Sequence, residues 1–215
     1  MSICYIVGAM PDPDAVIQKG YVIAADKGVE TLKEKGVRPD LIVGDFDSLG
    51  YIPEGENTER HPSEKDDTDM LLALRRGIQK GCNTFILYGG MGGRLDHTLA
   101  NLQTLLFAAK RGKRAYLVGD GIVATAIYNE ELVVANEEKN YVSVFSVEGD
   151  AEGVCLKDLK YTLAHARLTA DFPLGVSNES TGEAFSVSVE KGALCVLWHE
   201  TPAHLMQRLQ KEDSV

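Results

Sequence analysis

The chain has no run of 18 or more apolar residues, so no segment reads as a bilayer-spanning helix. Its first residues, MSICYIVGAMPDPD, lack a basic region and turn acidic at once, unlike a secretory leader. A cytoplasmic location is the expectation. Basic residues are in deficit: Lys and Arg number 22 against 32 Asp and Glu, a formal net charge of −10. Such a chain repels a phosphate backbone on average, so nucleic acid is not an expected partner. A local basic pocket for a nucleotide stays compatible with that charge. The four cysteines, Cys4, Cys82, Cys155 and Cys195, are widely spread and form no CxxC pair. That gives no support to a structural zinc site, and buried free thiols are expected instead. Three signatures are also missing: GxxxxGK[ST], a spaced GxGxxG and GxSxG. Neither a P-loop, nor a dinucleotide fingerprint, nor a Ser/His/Asp hydrolase is indicated.

What is present is a chain of 215 residues, enough for one large domain or two small ones. Its first half alternates apolar runs with helical patterns. The runs Ile3–Val7, Tyr21–Ala25, Leu41–Val43, Phe85–Tyr88 and Ala115–Val118 are continuous, as in strands covered on both faces. Val29 and Leu32, with Val37 as a candidate third member, mark a short helix after Asp26, and Met70, Leu71, Leu74 and Ile78 a second. Leu95, Leu99, Leu102, Leu106 and Ala109 form a stripe that predicts the buried face of a third. This alternation implies a mostly parallel sheet with helices on its faces. Beyond Gly119–Gly121 the pattern changes to short strands at Ile122–Tyr128, Leu132–Ala135, Tyr141–Val147, Ala184–Val189 and Leu194–Trp198, then a helix over His204–Lys211. The fold expected is α/β: a mostly parallel nucleotide-binding domain over residues 1–120, then an antiparallel β-sandwich over 121–215.

Acids stand where the first-half strands end. Asp26 follows Tyr21–Ala25, and Asp45 and Asp47 follow Leu41–Val43 in GDFDSLG. Ligands of an open parallel sheet bind beyond its carboxyl ends. In extended backbone Asp45 and Asp47 would point the same way, roughly 6–7 Å apart. Two bare carboxylates so placed repel each other, and a hard divalent cation such as Mg²⁺ relieves the conflict. KDDTD at 65–69 opens the second helix. Asp66 and Asp69 would share a helix face. Asp66 or Asp67 as an N-cap is the competing reading, and both stay open.

The segment GGMGGRLDHTLAN at 89–101 links the strand Phe85–Tyr88 to the third helix. Gly89, Gly90, Gly92 and Gly93 permit close backbone approach, and free amides at a helix start attract anions. Arg94 can fork onto phosphate oxygens. Asp96 and His97 follow, with His97 read as a binding or orienting group rather than a proton carrier.

Taken in order, AADKGVETLKEKGVRPDLIVGDFDSLG, KDDTDMLLAL, GGMGGRLDHTLANLQTLL and LKYTLAHARLTADFPLGVSNES resemble the thiamine pyrophosphokinase family. The resemblance spans most of the chain. It implies a homodimer that moves a pyrophosphoryl group from ATP to the hydroxyethyl group of thiamine, giving thiamine diphosphate and AMP. It implies Mg²⁺ at Asp26, Asp45, Asp47 and Asp69. It implies nucleotide contacts from Asp26, Ser48, Asp66, Thr68, Gly90, Gly92, Gly93, Arg94, Asp96 and His97. The catalytic set is then Asp45, Asp47, Asp69, Asp96 and Arg94, with Asp69 or Asp96 as candidate proton acceptors. The thiamine pocket, built between subunits, would use Tyr161, Ser177 and Asn178, with Trp198 as the alternative aromatic. Lys27 departs from the family pattern, which commonly has glycine there. The competing readings are another Mg²⁺-dependent ATP:alcohol phosphotransferase and a thiamine- or nucleotide-binding regulator without turnover.

Overall fold

The computed structural model describes residues 2–47, 49–53, 55, 57–61, 67–135 and 138–212. It divides into two compact units, Met1–Thr104 with Gly112–Asp120, and Leu105–Arg111 with Gly121–Val215. Among the described residues no helix is long and apolar enough to cross a membrane.

The first unit is built on six parallel strands. These are β1 (Ile3–Val7), β2 (Tyr21–Ala25), β3 (Leu41–Gly44), β4 (Thr58–Arg60), β5 (Thr84–Tyr88) and β6 (Arg114–Gly119). Their order is β6-β5-β1-β2-β3-β4, and every described pairing among them is parallel. Cys4, Tyr5, Ile6 and Val7 of β1 and Phe85 to Tyr88 of β5 have no solvent exposure. Burial on both faces is why these runs are continuously apolar. Helix α1 (Gly28–Glu34) follows β2, α2 (Asp69–Gln79) follows β4, and α3 (Leu95–Ala109) follows β5.

The stripe expected to be buried on α3 is buried only toward its end: Ala109 is buried, Leu102 and Leu106 are half-buried, and the first two leucines stay exposed. Leu95 and Leu99 are 72% and 55% exposed, while Leu105 and Ala108 are fully buried beside Asn101 and Thr104. The helix carries apolar residues on more than one side, so spacing alone does not choose its buried face. Asn101 and Thr104 go inside because backbone carbonyls accept their hydrogen bonds.

The second unit holds β7 (Ile122–Tyr128), β8 (Glu131–Val134), β9 (Tyr141–Ser146), β10 (Ala151–Lys157), β11 (Leu163–Leu168), β12 (Gly175–Glu179), β13 (Phe185–Ser188), β14 (Ala193–His199) and helix α4 (Pro202–Glu212). They pair antiparallel in two sets, β12-β9-β14-β7 and β11-β10-β13-β8. In β9, Val142 and Val144 point inward while Tyr141 and Phe145 stay exposed, the period of two seen in the sequence. Strands β4, β10, β11 and β12 were not legible in the sequence. β11 is an edge strand with only Leu168 buried, and the β10–β11 and β9–β12 ladders are interrupted by register shifts. Strands like these take their place from their neighbours rather than from their own periodicity.

Cys4, Cys82, Cys155 and Cys195 are all free, and Cys155 alone is not fully buried. Burial pushes the Cys195 thiol up to about 12, so it behaves as a core residue.

Candidate functional site

The chain runs outward from β1 through β2 to β3, then returns to the far side of β1 to lay down β5 and β6. The switch point of this parallel sheet therefore lies between β1 and β5, where open α/β sheets bind ligands. There Gly8 N–H donates to the Tyr88 carbonyl at 2.8 Å, and Met10 N–H to the Gly89 carbonyl at 3.1 Å. The first residue of α1 is pressed onto the same edge. A Cβ on Gly28 would stand 1.8 Å from the Val7 carbonyl oxygen, so only glycine fits.

The strand-end acids sit on strained backbone. Asp26 leaves β2 at φ +50 and donates its N–H to the Val43 carbonyl at 2.8 Å. Its Oδ1 is buried, with no hydrogen bond from the described residues. Gly44, at the end of β3, would place a Cβ 3.2 Å from the Asp26 Cα, so the two strand ends touch. Asp45 comes next, and here the extended geometry expected for Asp45 and Asp47 is corrected. Phe46 between them adopts φ +63 and buries its ring to 3% exposure. Burying that ring reverses the chain, and Asp47 N–H folds back onto Asp45 Oδ1 at 3.0 Å. Left-handed backbone at a non-glycine residue costs about 1–3 kcal/mol and collects at functional sites. Two such residues mark these neighbouring strand ends. Ser48 lies outside the described residues.

The start of α2 also differs from the sequence reading. Thr68 is the N-cap, accepting the Leu71 N–H on its hydroxyl at 3.2 Å, so Asp69 is the first helical residue. Asp67 is not the cap; its carboxylate pairs with Arg75 at 3.0 Å. Asp66 lies outside the described residues. Beside Asp69, the Met70 methyl group packs against Gly8 and Gly90, which fixes the helix start at the ends of β1 and β5.

The four acids do not form a protein-only metal cage: among the described residues no three His, Cys, Asp or Glu groups gather to hold an ion. Hard carboxylate oxygens nevertheless suit magnesium, which is ordinarily held by one or two carboxylates together with substrate phosphates. The touching ends of β2 and β3, bearing Asp26 and Asp45, fit that shared mode.

In the glycine loop, Gly89, Gly92 and Gly93 have φ +65, +79 and +63. The Gly90 carbonyl accepts from the buried Asn101 amide at 2.7 Å. Arg94 and Asp96 form a two-pronged ion pair, Nε to Oδ1 at 3.1 Å and Nη2 to Oδ2 at 2.5 Å, both exposed. The guanidinium fork holds the Asp96 carboxyl below its ordinary value, and Asp96 in turn raises Arg94. Arg94 therefore faces a carboxylate rather than standing open. His97 is exposed on the first turn of α3. Lys27 precedes α1 and makes no side-chain cap to it.

In the second unit Asn178 is 4% exposed. Its carbonyl oxygen accepts the Tyr161 N–H at 3.0 Å and its amide donates to the Tyr161 carbonyl at 2.7 Å. Asn178 thus supports Tyr161, whose ring is 61% exposed with the Lys160 ammonium 5.4 Å from its centroid. Ser177 sits at φ +58 within the β12 register shift, exposed, its N–H on Ser143 Oγ. Trp198 is 2% exposed and donates its indole N–H to Glu200, which makes it core. Near Ser177 a hollow of about 220 Å³ is lined by Val144, Phe145, Leu168, Phe172 and Gly175 among others. Sequence reading passed over Met10, Asp12, Asn101 and Phe172. Only Asn101 carried a signal, as a polar residue inside an apolar helical pattern.

Residues 14–117 match the family described as thiamin pyrophosphokinase, catalytic domain, and residues 129–194 match the thiamin pyrophosphokinase vitamin B1 binding domain. The chain is 30% identical over 182 residues to the thiamine pyrophosphokinase of Bacillus subtilis strain 168, covering 81% of this chain and 85% of that protein. The solved thiamin pyrophosphokinase of Geobacillus thermodenitrificans superposes with a TM-score of 0.79 at 28% identity, over 94% of this chain and 99% of that one. The Bacillus subtilis structure gives 0.77 at 26%, over 93% and 99%.

Proposed function

The chain belongs to the thiamin pyrophosphokinase family, and we propose on that premise how its residues divide the work. The reaction is ATP-dependent transfer of a pyrophosphoryl group to thiamine. Residues 1–120 take ATP and residues 121–215 take thiamine. The two antiparallel strand sets of the second unit are read as the faces of a sandwich. The observation that carries the assignment is the carboxyl edge of the parallel sheet, where Asp26 and Asp45 adjoin and the Arg94-bearing glycine loop meets β1.

The amides around Gly90, Gly92 and Gly93 and the Arg94 fork receive the ATP phosphates, with Thr68 and His97 at the nearby helix starts. Arg94 must first exchange Asp96 for phosphate, and an exposed pair of this kind gives way readily. Asp96 is then released to accept the proton of the thiamine hydroxyl, with Asp69 as the other acceptor. The hydroxyethyl oxygen attacks the β-phosphorus, the bond to the α-phosphate oxygen breaks, and AMP leaves. Asp26, Asp45, Asp47 and Asp69 are the carboxylates assigned to magnesium, and a bound ion there would offset phosphate charge through the transition state. Chemistry of this kind depends mainly on positioning and charge.

Tyr161 and Ser177 are assigned to thiamine, and Asn178 to holding Tyr161. A second copy of the chain is the proposed partner. Each unit leaves apolar side chains uncovered: Leu95 and Leu99 in the first, and Phe145, Phe172, Leu174 and Val176 in the second. Clusters of that kind mark interaction surfaces. A cytoplasmic location is part of the same proposal.

The deciding experiment is an assay with ATP, thiamine and magnesium, scored by nucleotide product. AMP and thiamine diphosphate in equal amounts are expected. ADP in place of AMP would instead identify simple phosphorylation of an alcohol, and thiamine binding without ATP consumption would identify a regulator. Light scattering tests the dimer; a fully active monomer rules out a shared pocket.

A further inference from the structure

The glycine loop is held from outside its own segment. The Gly89 carbonyl accepts the Met10 N–H at 3.1 Å. One residue earlier, the Tyr88 carbonyl accepts the Gly8 N–H at 2.8 Å. At the far end of the loop, a Cβ on Gly93 would lie 2.9 Å from the Met10 sulfur, so the thioether packs against that glycine. The segment after β1 is itself tied down. The Tyr88 hydroxyl donates to the Val16 carbonyl at 3.0 Å, and the Lys35 ammonium donates to the Pro13 carbonyl at 2.7 Å. All these contacts lie within the first unit.

The contacts matter because of what they constrain. Glycine loses more conformational freedom on ordering than any other residue. A loop with four glycines, left alone, would have to be ordered by the ligand it binds. Here Gly89 is held by the Met10 N–H, Gly90 by the Asn101 amide, and Gly93 by the Met10 side chain. Only Met91 and Gly92 lie between those anchors. An anion arriving at the loop amides then meets donors already in place, which is what preorganisation means energetically.

We propose that residues 9–20 form a positioning strap, in which Met10 sets the conformation of Gly89–Gly93 before ATP binds. This rests on the reading that the loop receives ATP phosphates. Met10 touches no reacting atom; it acts through the loop amides. Removal of its side chain therefore weakens ATP binding and leaves thiamine binding alone.

The test compares Met10→Ala, Met10→Leu and Gly92→Ala in the full chain. Steady-state kinetics with ATP and thiamine are measured, together with calorimetric binding of a non-hydrolysable ATP analogue, whose stoichiometry counts the folded fraction. Met10→Ala is expected to raise KM for ATP and Kd for the analogue by about 10-fold, with KM for thiamine unchanged. Met10→Leu, which keeps an apolar side chain of similar volume against Gly93, restores both. A general loss of packing would move the thiamine constant too. Gly92 sits at φ +79 with room for a methyl group, so Gly92→Ala disturbs the loop conformation directly. Should Gly92→Ala raise the ATP constants while Met10→Ala leaves them at the parent value, the strap is overturned and the phosphate role of the loop stands. Should all three leave them unchanged, the phosphate role falls and the strap with it.

Discussion

The Asn101 side-chain amide, in the second turn of α3, donates to the Gly90 carbonyl at 2.7 Å with both groups buried. The bond joins the helix that follows the glycine loop to the loop itself. Asn101→Ala leaves a buried carbonyl without its donor, which costs about 1–3 kcal/mol. Chemical denaturation should show that loss, with KM for ATP rising alongside. Asn101→Asp sets a carboxylate against the carbonyl and should be worse on both measures.

Asp47→Asn removes one negative charge from the acidic mouth. Turnover at saturating magnesium is expected to fall by ~10²-fold or more. Near-normal turnover would remove Asp47 from the catalytic set without touching Asp26 or Asp45.

Asn178→Ala frees the Tyr161 main chain from both of its hydrogen bonds to that side chain. The expected result is a KM for thiamine raised by about 10-fold, with KM for ATP unchanged. An unchanged thiamine constant would separate Tyr161 from the pocket.

Arg208 and Glu200 form a pair whose side chains are each 5% exposed, and Glu200 also accepts the Trp198 indole N–H at 2.8 Å. Arg208→Met leaves that carboxylate buried without its partner cation. The loss is expected at about 3–5 kcal/mol, read from denaturant unfolding. Replacing both members with apolar residues should restore much of it.

The Asp12 pKa is raised, first by burial and then by neighbouring Asp14, against the lowering effects of Lys35 and of the Asp14 and Gly89 backbone. The sign follows from the direction. A carboxyl that binds its proton more tightly when folded is destabilising while ionised, and the penalty is relieved as pH falls through its raised pKa. Asp12→Asn should therefore be at least as stable as the parent at pH 7. The difference should vanish below the ordinary carboxylate value of 3.8. A lower Tm for the variant at pH 7 would contradict this.

What the sequence determined by itself is what local pattern carries. Continuous apolar runs announced strands buried on both faces, and Asp26 and Asp45 were legible as strand-end acids because each directly follows such a run. The alternation in Tyr141–Val147 chose the inward Val142 and Val144. Tertiary structure decided whatever required a partner distant in sequence. Phe46 turns to bury its ring, and so sends Asp45 and Asp47 apart from the extended arrangement. α3 presents Leu105 and Ala108 inward rather than Leu95 and Leu99, because packing selects among several apolar stripes. Asn178 grips Tyr161 seventeen positions away, and the Met10 N–H reaches the Gly89 carbonyl across the sheet switch point. Periodicity records which residues avoid water, whereas contacts between distant segments exist only once the chain has folded.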